Sequence, residues 1–252
     1  MYHNKFMTLF DFCGKFGLKN TIYFQRVKKH PRYGLPLKLP VFGLVTHKEE
    51  ILNIRDNIFQ GSLRDPLIEK ELREAEAPVI VDCGINVGVT VRWWLYLNAK
   101  STVYGVDMMQ EAHDFTVKSL PESLKKNYFS VTAALAAESG SALEVKFNDP
   151  LFGGNSIAGG GECAHRRSVR LVTLDDCLRG HSIPAIDLLK VDIEGSGVPM
   201  FRGAVESLKK VKNIFLEWHD DEERQGSITF LKEAGFVIRK AYKRHFWFMR
   251  NI

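Results

Sequence analysis

Val79-Ile80-Val81-Asp82-Cys83-Gly84-Ile85-Asn86-Val87-Gly88-Val89-Thr90 carries the first clear structural signal in the chain. A β-type apolar run leads up to Asp82, two glycines follow, and Val91-Arg92-Trp93-Trp94-Leu95-Tyr96-Leu97 then reads as a helix. Strand, glycine loop and helix in that order make a nucleotide-binding entry. Gly84 and Gly88 let the backbone turn tightly and pass close to a ligand. Asp82 sets the loop apart from a dinucleotide site, where helix amides face a pyrophosphate and an acid would repel it. A carboxylate here suits a ligand with a cationic end.

Working outward, Ser101-Thr102-Val103-Tyr104-Gly105-Val106-Asp107 is a short β-rich run that closes on a second acid. An acid at the end of the second strand of such a unit is placed to take ribose hydroxyls. A cationic end and a ribose together describe S-adenosylmethionine. Tyr128 to Ala134 reads as the third strand and Leu143 to Phe147 as an added strand or hairpin, with Ser168 to Val172 a further strand. Asp65-Pro66 opens a helix, as cap and first helical residue. Thr173-Leu174-Asp175-Asp176 reads as a capping box, with Asp176 reaching back. Pro199 sits in the first turn of a helix to about Lys210, and Gln225 to Ala234 forms another.

The second chemical cluster is Ile186-Asp187-Leu188-Leu189-Lys190-Val191-Asp192-Ile193-Glu194-Gly195. A period of two places Lys190, Asp192 and Glu194 on one side of a buried-type strand. Buried charges are costly unless paired, so three in succession at a strand's carboxyl end point to a site. Asn213-Ile214-Phe215-Leu216-Glu217-Trp218-His219 is the next strand, again ending in polar groups. His219 is either a base titrating near neutral pH or a surface histidine beyond the strand. Phe236–Tyr242 and His245–Met249 form a terminal antiparallel hairpin, which separates a methyltransferase-type sheet from a dehydrogenase sheet.

Composition sets the outer bounds. The 252 residues are 45% hydrophobic and 26% charged, with a net charge of +5 dispersed along the chain, which argues against a nucleic-acid partner. Cys13, Cys83, Cys163 and Cys177 show no paired spacing, as expected of a reduced, cytoplasmic protein without a zinc site. Residues 1–65 read as an N-terminal helical and strand extension and residues 66–252 as the main domain. In the extension, Phe6, Phe10, Phe12, Phe16, Tyr23 and Phe24 precede the basic run Arg26-Val27-Lys28-Lys29-His30. That mix fits a helix packed on the domain, a homodimer contact or a peripheral membrane contact. Pro31, Pro36 and Pro40 mark a linker, Leu37 to Thr46 a strand, and Glu49 to Phe59 an amphipathic helix. Asn148-Asp149-Pro150-Leu151-Phe152 reads as a turn, and the glycine-dense stretch 153–161 as either a substrate lid or a solvent loop.

These elements together resemble the FkbM family of S-adenosylmethionine-dependent methyltransferases. The resemblance rests on Val81–Gly88, on Val172-Thr173-Leu174-Asp175-Asp176-Cys177-Leu178, and on Leu189–Gly195 with Phe201-Arg202-Gly203-Ala204. It implies an α/β fold: a Rossmann-like class I sheet, mostly parallel with a terminal antiparallel hairpin and helices on both faces. It also implies methyl transfer to oxygen, commonly on a sugar or glycan precursor. Asp82, Gly84, Asn86, Gly88, Asp107 and Ala134 are the cofactor-binding candidates. Asp192 is the first candidate for base and His219 the second, with Lys190 orienting Asp192 or stabilising alkoxide charge. Asp192, Glu194, Glu217 and His219 form an alternative divalent-metal set. A methyltransferase-fold scaffold without catalysis is the competing reading.

Overall fold

Alternate residues of the central strands face opposite ways, and each face has its own hydrophobic core. Ile80, Val103, Leu188, Phe215 and Trp247 belong to one buried cluster. Their neighbours Val81, Tyr104, Leu189, Leu216 and Phe248 belong to the other. The computed structural model describes residues 35–39, 41–59, 61–155 and 163–251, with 13, 14, 17–19, 21 and 22. The aromatic and basic stretch at 1–34 therefore falls largely outside the described residues, as do positions 156–161 of the glycine-dense stretch.

The described chain begins with a hairpin of β1 (Leu37–Leu39) and β2 (Gly43–Val45), where a single strand to Thr46 is expected. Gly43, at φ +64, takes the left-handed turn that doubles the strand back. Helix α1 (Lys48–Asn53) passes into a π-helical turn at Ile54–Phe59, so the expected helix over 49–59 is not uniform. Its apolar stripe, Ile51, Ile54 and Ile58, is buried. Asp65 caps α2 (Pro66–Glu74) by accepting from the Leu67 and Ile68 amides.

The alternating series follows: β3 (Val79–Cys83), α3 (Val89–Leu97), β4 (Thr102–Asp107), α4 (Gln110–Ser119), α5 (Glu122–Lys125) and β5 (Tyr128–Thr132). The expected third strand breaks after Thr132, and β6 (Ala134–Leu135) leaves for a small second sheet with β7 (Ala142–Phe147) and β8 (His165–Val172). Then come α6 (Leu174–Leu178), β9 (Ile186–Val191), α7 (Gly197–Arg202), α8 (Val205–Leu208), β10 (Val211–Glu217), α9 (Asp221–Glu233), β11 (Phe236–Tyr242) and β12 (His245–Arg250). The helix expected from Pro199 to Lys210 divides at Gly203, whose missing Cβ would lie 2.2 Å from the Ala136 carbonyl oxygen. Thr173 does cap α6, but its own amide donates to Ser139 Oγ, so Asp176 does not close the capping box.

The main sheet runs β11-β12-β10-β9-β3-β4-β5. β12 alone runs antiparallel to its neighbours. Strand order reverses between β3 and β9, and in open α/β sheets that reversal opens a crevice at the carboxyl ends. Helices α2, α3 and α4 cover one face, α6 to α9 the other. Leu37, Leu39, Phe42, Val45, Ile51, Ile54 and Leu63 share the α3-side core, so from residue 37 onward the N-terminal segment is continuous with the domain's interior. No helix among the described residues is long and apolar enough to cross a membrane.

Candidate active site

The carboxyl ends of β3, β4, β9 and β10 open onto a cavity of about 330 Å³. Its sheet-side wall holds Gly84, Asn86, Asp107, Ala134, Asp192, Glu194 and Glu217. At Gly84, φ is +80 and an added Cβ would lie 1.8 Å from the Asp192 carbonyl oxygen, so only glycine lets β3 and β9 approach this closely. The Asp107 carboxylate ties the loop to the turn after β4, accepting from the Asn86 amide at 3.0 Å and the Met109 amide at 2.9 Å. Burial lifts the Asp107 carboxyl above its ordinary range, against those two amides. Asn86 itself sits at φ +50, an uncommon conformation for a non-glycine residue and one that clusters at functional sites.

Asp82, Gly88, Lys190 and His219 do not line the cavity. Gly88 serves packing, not ligand approach: its φ is +67, and an added Cβ would meet Thr116 Oγ1 at 2.3 Å. Asp82 is fully buried, and Trp94 Nε1 donates to it at 3.1 Å. Its carboxylate lies 3.1 Å from Lys190 Nζ, so its charge faces that ammonium and not a cofactor. Lys190 is the hub of the crevice. Its Nζ donates to the Gly84 carbonyl at 2.5 Å and stands 3.5 Å from Asp192. Burial opposes its charge, but Asp82 and Asp192 outweigh burial and hold the ammonium pKa above its usual value. With 1% exposure, Lys190 stands behind the cavity wall, in contact with Asp192 and the loop, and not among the lining residues.

Asp192 remains on the wall, and its pKa is raised to about 6. Burial is the main cause, with Glu217 and Glu194 adding and Lys190 opposing. His219 differs from its expected role as a neutral base. Its Nδ1 lies 3.3 Å from Glu223 and its Nε2 3.4 Å from Glu194 and 3.7 Å from Asp192. Burial opposes the charge, yet those carboxylates raise the imidazolium to about 10, so His219 is a donor at neutral pH. Donor atoms of Asp192, Glu194 and His219 lie within 4.8 Å of one another, close enough to surround a cation. Glu217 departs from the expected metal set, because it pairs with His245 at 3.1 Å and that contact lowers its pKa despite burial.

Sequence reasoning missed two features here. Glu223 is a buried carboxylate that accepts from the Gly197 and His219 amides. The spacing Asp220-x-x-Glu223, a cap with an acid three residues on, was its available signal. The second feature is a cavity wall made by Glu49, Asn53, Asp56 and Asn57, with Phe152 and Asn155. The polar side of the amphipathic stretch 48–59 thus meets the cavity.

Residues 82–238 match the model of the methyltransferase FkbM domain, more than half of the chain. The chain belongs to the FkbM methyltransferase family. No curated protein sequence matches this FkbM-family methyltransferase. Among solved structures it is similar to precorrin-6y C5,15-methyltransferase of Geobacter metallireducens, at 12% identity over 72% of this chain and 83% of that one, TM-score 0.44. Magnesium protoporphyrin IX methyltransferase of Synechocystis, solved with bound S-adenosylmethionine, is 13% identical over 92% and 97%, TM-score 0.44. Fibrillarin of Aeropyrum pernix, also with S-adenosylmethionine, is 11% identical over 75% and 74%, TM-score 0.41. Each of these likenesses is weak. The family match and the sheet order stand without them.

Proposed function

We propose that this FkbM-family protein transfers a methyl group from S-adenosylmethionine to a hydroxyl of a sugar, in a glycan, glycolipid or related small molecule. The observation that carries the reading is the placement of Asp192 on the same cavity wall as the glycine loop, held by Lys190. The cofactor fits the residues present. Asn86 Oδ1 is a buried acceptor with no donor, suited to an ammonium group, and Gly84 leaves the loop bare beside it. Asp107 would take the ribose hydroxyls and Ala134 would lie along the same wall. Bound there, S-adenosylmethionine supplies an electrophilic methyl.

A sugar hydroxyl is a weak nucleophile and gains from a base whose pKa is near the working pH. Asp192, ionised above about 6, is that base. It would take the hydroxyl proton as the acceptor oxygen bonds the methyl carbon and the carbon–sulfur bond breaks, with S-adenosylhomocysteine as the leaving group, while positioning of acceptor and cofactor would supply much of the remaining rate. Lys190 and the His219 imidazolium hold the carboxylate in place from either side. The amides and acids of residues 49–57 with the exposed ring of Phe152 support a polyhydroxylated acceptor. A cytoplasmic setting is part of the reading, supported by the free thiols of all four cysteines.

Calorimetric titration with S-adenosylhomocysteine, with NADH as control, tests the cofactor. The first ligand is expected to bind and the second not. Asp192→Asn should bind S-adenosylhomocysteine as the wild type does and transfer methyl about 10²–10⁴-fold more slowly. No binding by the wild type would overturn the reading and leave a methyltransferase-fold scaffold in its place.

A further inference from the structure

The wall contributed by residues 49–57 has a chemistry of its own. Glu49 and Asn53 come from α1, and Arg55, Asp56 and Asn57 from the π-helical turn, a distortion of helix that is common at functional sites. We infer that this wall is the acceptor subsite and that it selects an uncharged or amine-bearing polyol over one carrying phosphate or carboxylate. The inference rests on the sugar methylation proposed above and adds the charge class of the acceptor.

Charge decides it. The cavity is lined by six carboxylates: Glu49, Asp56, Asp107, Asp192, Glu194 and Glu217. Arg55 is the one lysine or arginine among the described lining residues. Its charge is already spent: Nε and Nη2 donate to the two oxygens of Asp56 at 2.7 and 2.6 Å, a bidentate fork. The cations behind the wall are committed in the same way. Lys190 faces Asp82 and Asp192, and the His219 imidazolium faces Glu194 and Glu223.

S-adenosylmethionine brings one net positive charge, which still leaves a surplus of acid around the acceptor. A phosphate placed beside Glu49 would meet like charge in a confined space, where the one lysine or arginine among the described lining residues, Arg55, is already paired with Asp56. A hydroxyl or ammonium group finds acceptors instead. Glu49 lies on the cavity side of α1 with its side chain 7% exposed, and burial raises its carboxyl pKa, so a hydroxyl or ammonium donor that reaches it offsets part of that burial cost. Phe152, 51% exposed at the edge of the same cavity, offers an apolar face for the C–H side of a sugar ring.

The test uses the full chain saturated with S-adenosylhomocysteine and titrated with glucosamine, glucose and glucose 6-phosphate. Glucosamine should bind at least about tenfold more tightly than glucose 6-phosphate, with glucose between them. Asp56→Asn releases Arg55 and should improve glucose 6-phosphate binding by about tenfold, while Glu49→Gln should weaken glucosamine alone. Glucose 6-phosphate binding as tightly as glucosamine would overturn the inference. So would the absence of binding by all three sugars to protein that has taken up S-adenosylhomocysteine. Failure to take up S-adenosylhomocysteine would strike the proposed function instead, so the two failures are distinct.

Discussion

Arg92 Nη2 lies 2.7 Å from Glu50 Oε1, with side chains 2% and 0% exposed. The pair joins two regions that sequence places far apart: the start of α1, beside the acceptor wall, and the helix that follows the glycine loop. Arg92 also donates to the carbonyls of Phe42, Val87 and Gly88. Glu50's other oxygen accepts from the Thr46 and His47 amides. The ion pair therefore sets the acceptor wall against the cofactor loop.

Breaking it from one side leaves a buried charge uncompensated, which is the expensive case. Glu50→Ala should cost about 3–5 kcal/mol, read as a shift in the urea midpoint at unchanged slope. Replacing both partners, Arg92→Met with Glu50→Met, should recover part of the loss, because no charge is then left buried alone. A single variant as stable as the wild type would show that the pair is not the clamp described.

Glycine positions separate by what a methyl group would meet. Gly84→Ala drives Cβ to 1.8 Å from the Asp192 carbonyl oxygen at φ +80, and that oxygen belongs to the backbone and cannot swing aside as a side chain would. It should abolish S-adenosylhomocysteine binding and lower stability by more than the cost of a strained φ alone. Gly43→Ala has nothing within 4 Å at φ +64, so it should cost only about 1 kcal/mol of strain and keep binding. Thermal melts with and without S-adenosylhomocysteine distinguish them; equal losses would mean that β3 and β9 can part without consequence.

Titration of the crevice gives two pH signatures. Transfer should rise with pH through about 6 as Asp192 ionises, then level near neutrality. An acid limb centred near an ordinary carboxyl value would remove Asp192 as the base. Stability follows His219, whose folded pKa of about 10 lies above its ordinary 6.5. Its contribution is complete below 6.5 and is lost as pH rises through about 10. Asp192 is ionised in both folded and unfolded states between pH 7 and 10 and does not change in that window. His219→Gln should therefore be less stable at pH 7, and the gap to the wild type should close toward pH 10.

How far the chain could be read in advance depends on the range of the interactions. The β3 run, the Asp65-Pro66 cap and the terminal hairpin depend on residues adjacent in sequence, and they stand where expected. Gly84, Asn86, Asp107, Ala134, Asp192 and Glu194 do meet in one cavity, because strand ends in a parallel sheet converge. The direction of Asp82 was not legible. Its partners Lys190 and Trp94 are set by β9 and α3 packing against β3, and charge type alone suggested a ligand instead. The protonation of His219 was hidden for the same reason, since it depends on Glu194 and Glu223 closing around it from a different loop and helix. The polar face of residues 48–59 could be recognised as a face, but not as a cavity wall.

Asp192, Glu194 and His219 raise a last question, whether transfer needs a divalent ion. Their donor atoms cluster within 4.8 Å, as a cation site requires. The same three groups already contact one another, however: the imidazolium offsets part of the charge of the two carboxylates, and Glu223 holds the ring from its far side. A divalent ion held through His219 would compete with a proton on that ring, so any occupancy would rise with pH. Transfer should accordingly persist in EDTA, and adding magnesium or manganese should change the rate less than about twofold. Glu194→Gln should lower the apparent pKa of His219, followed by its imidazole resonances, because the nearest carboxylate on Nε2 is gone. Loss of activity in chelator, restored by magnesium or manganese and abolished by Glu194→Gln, would reverse the assignment and make the trio a metal centre.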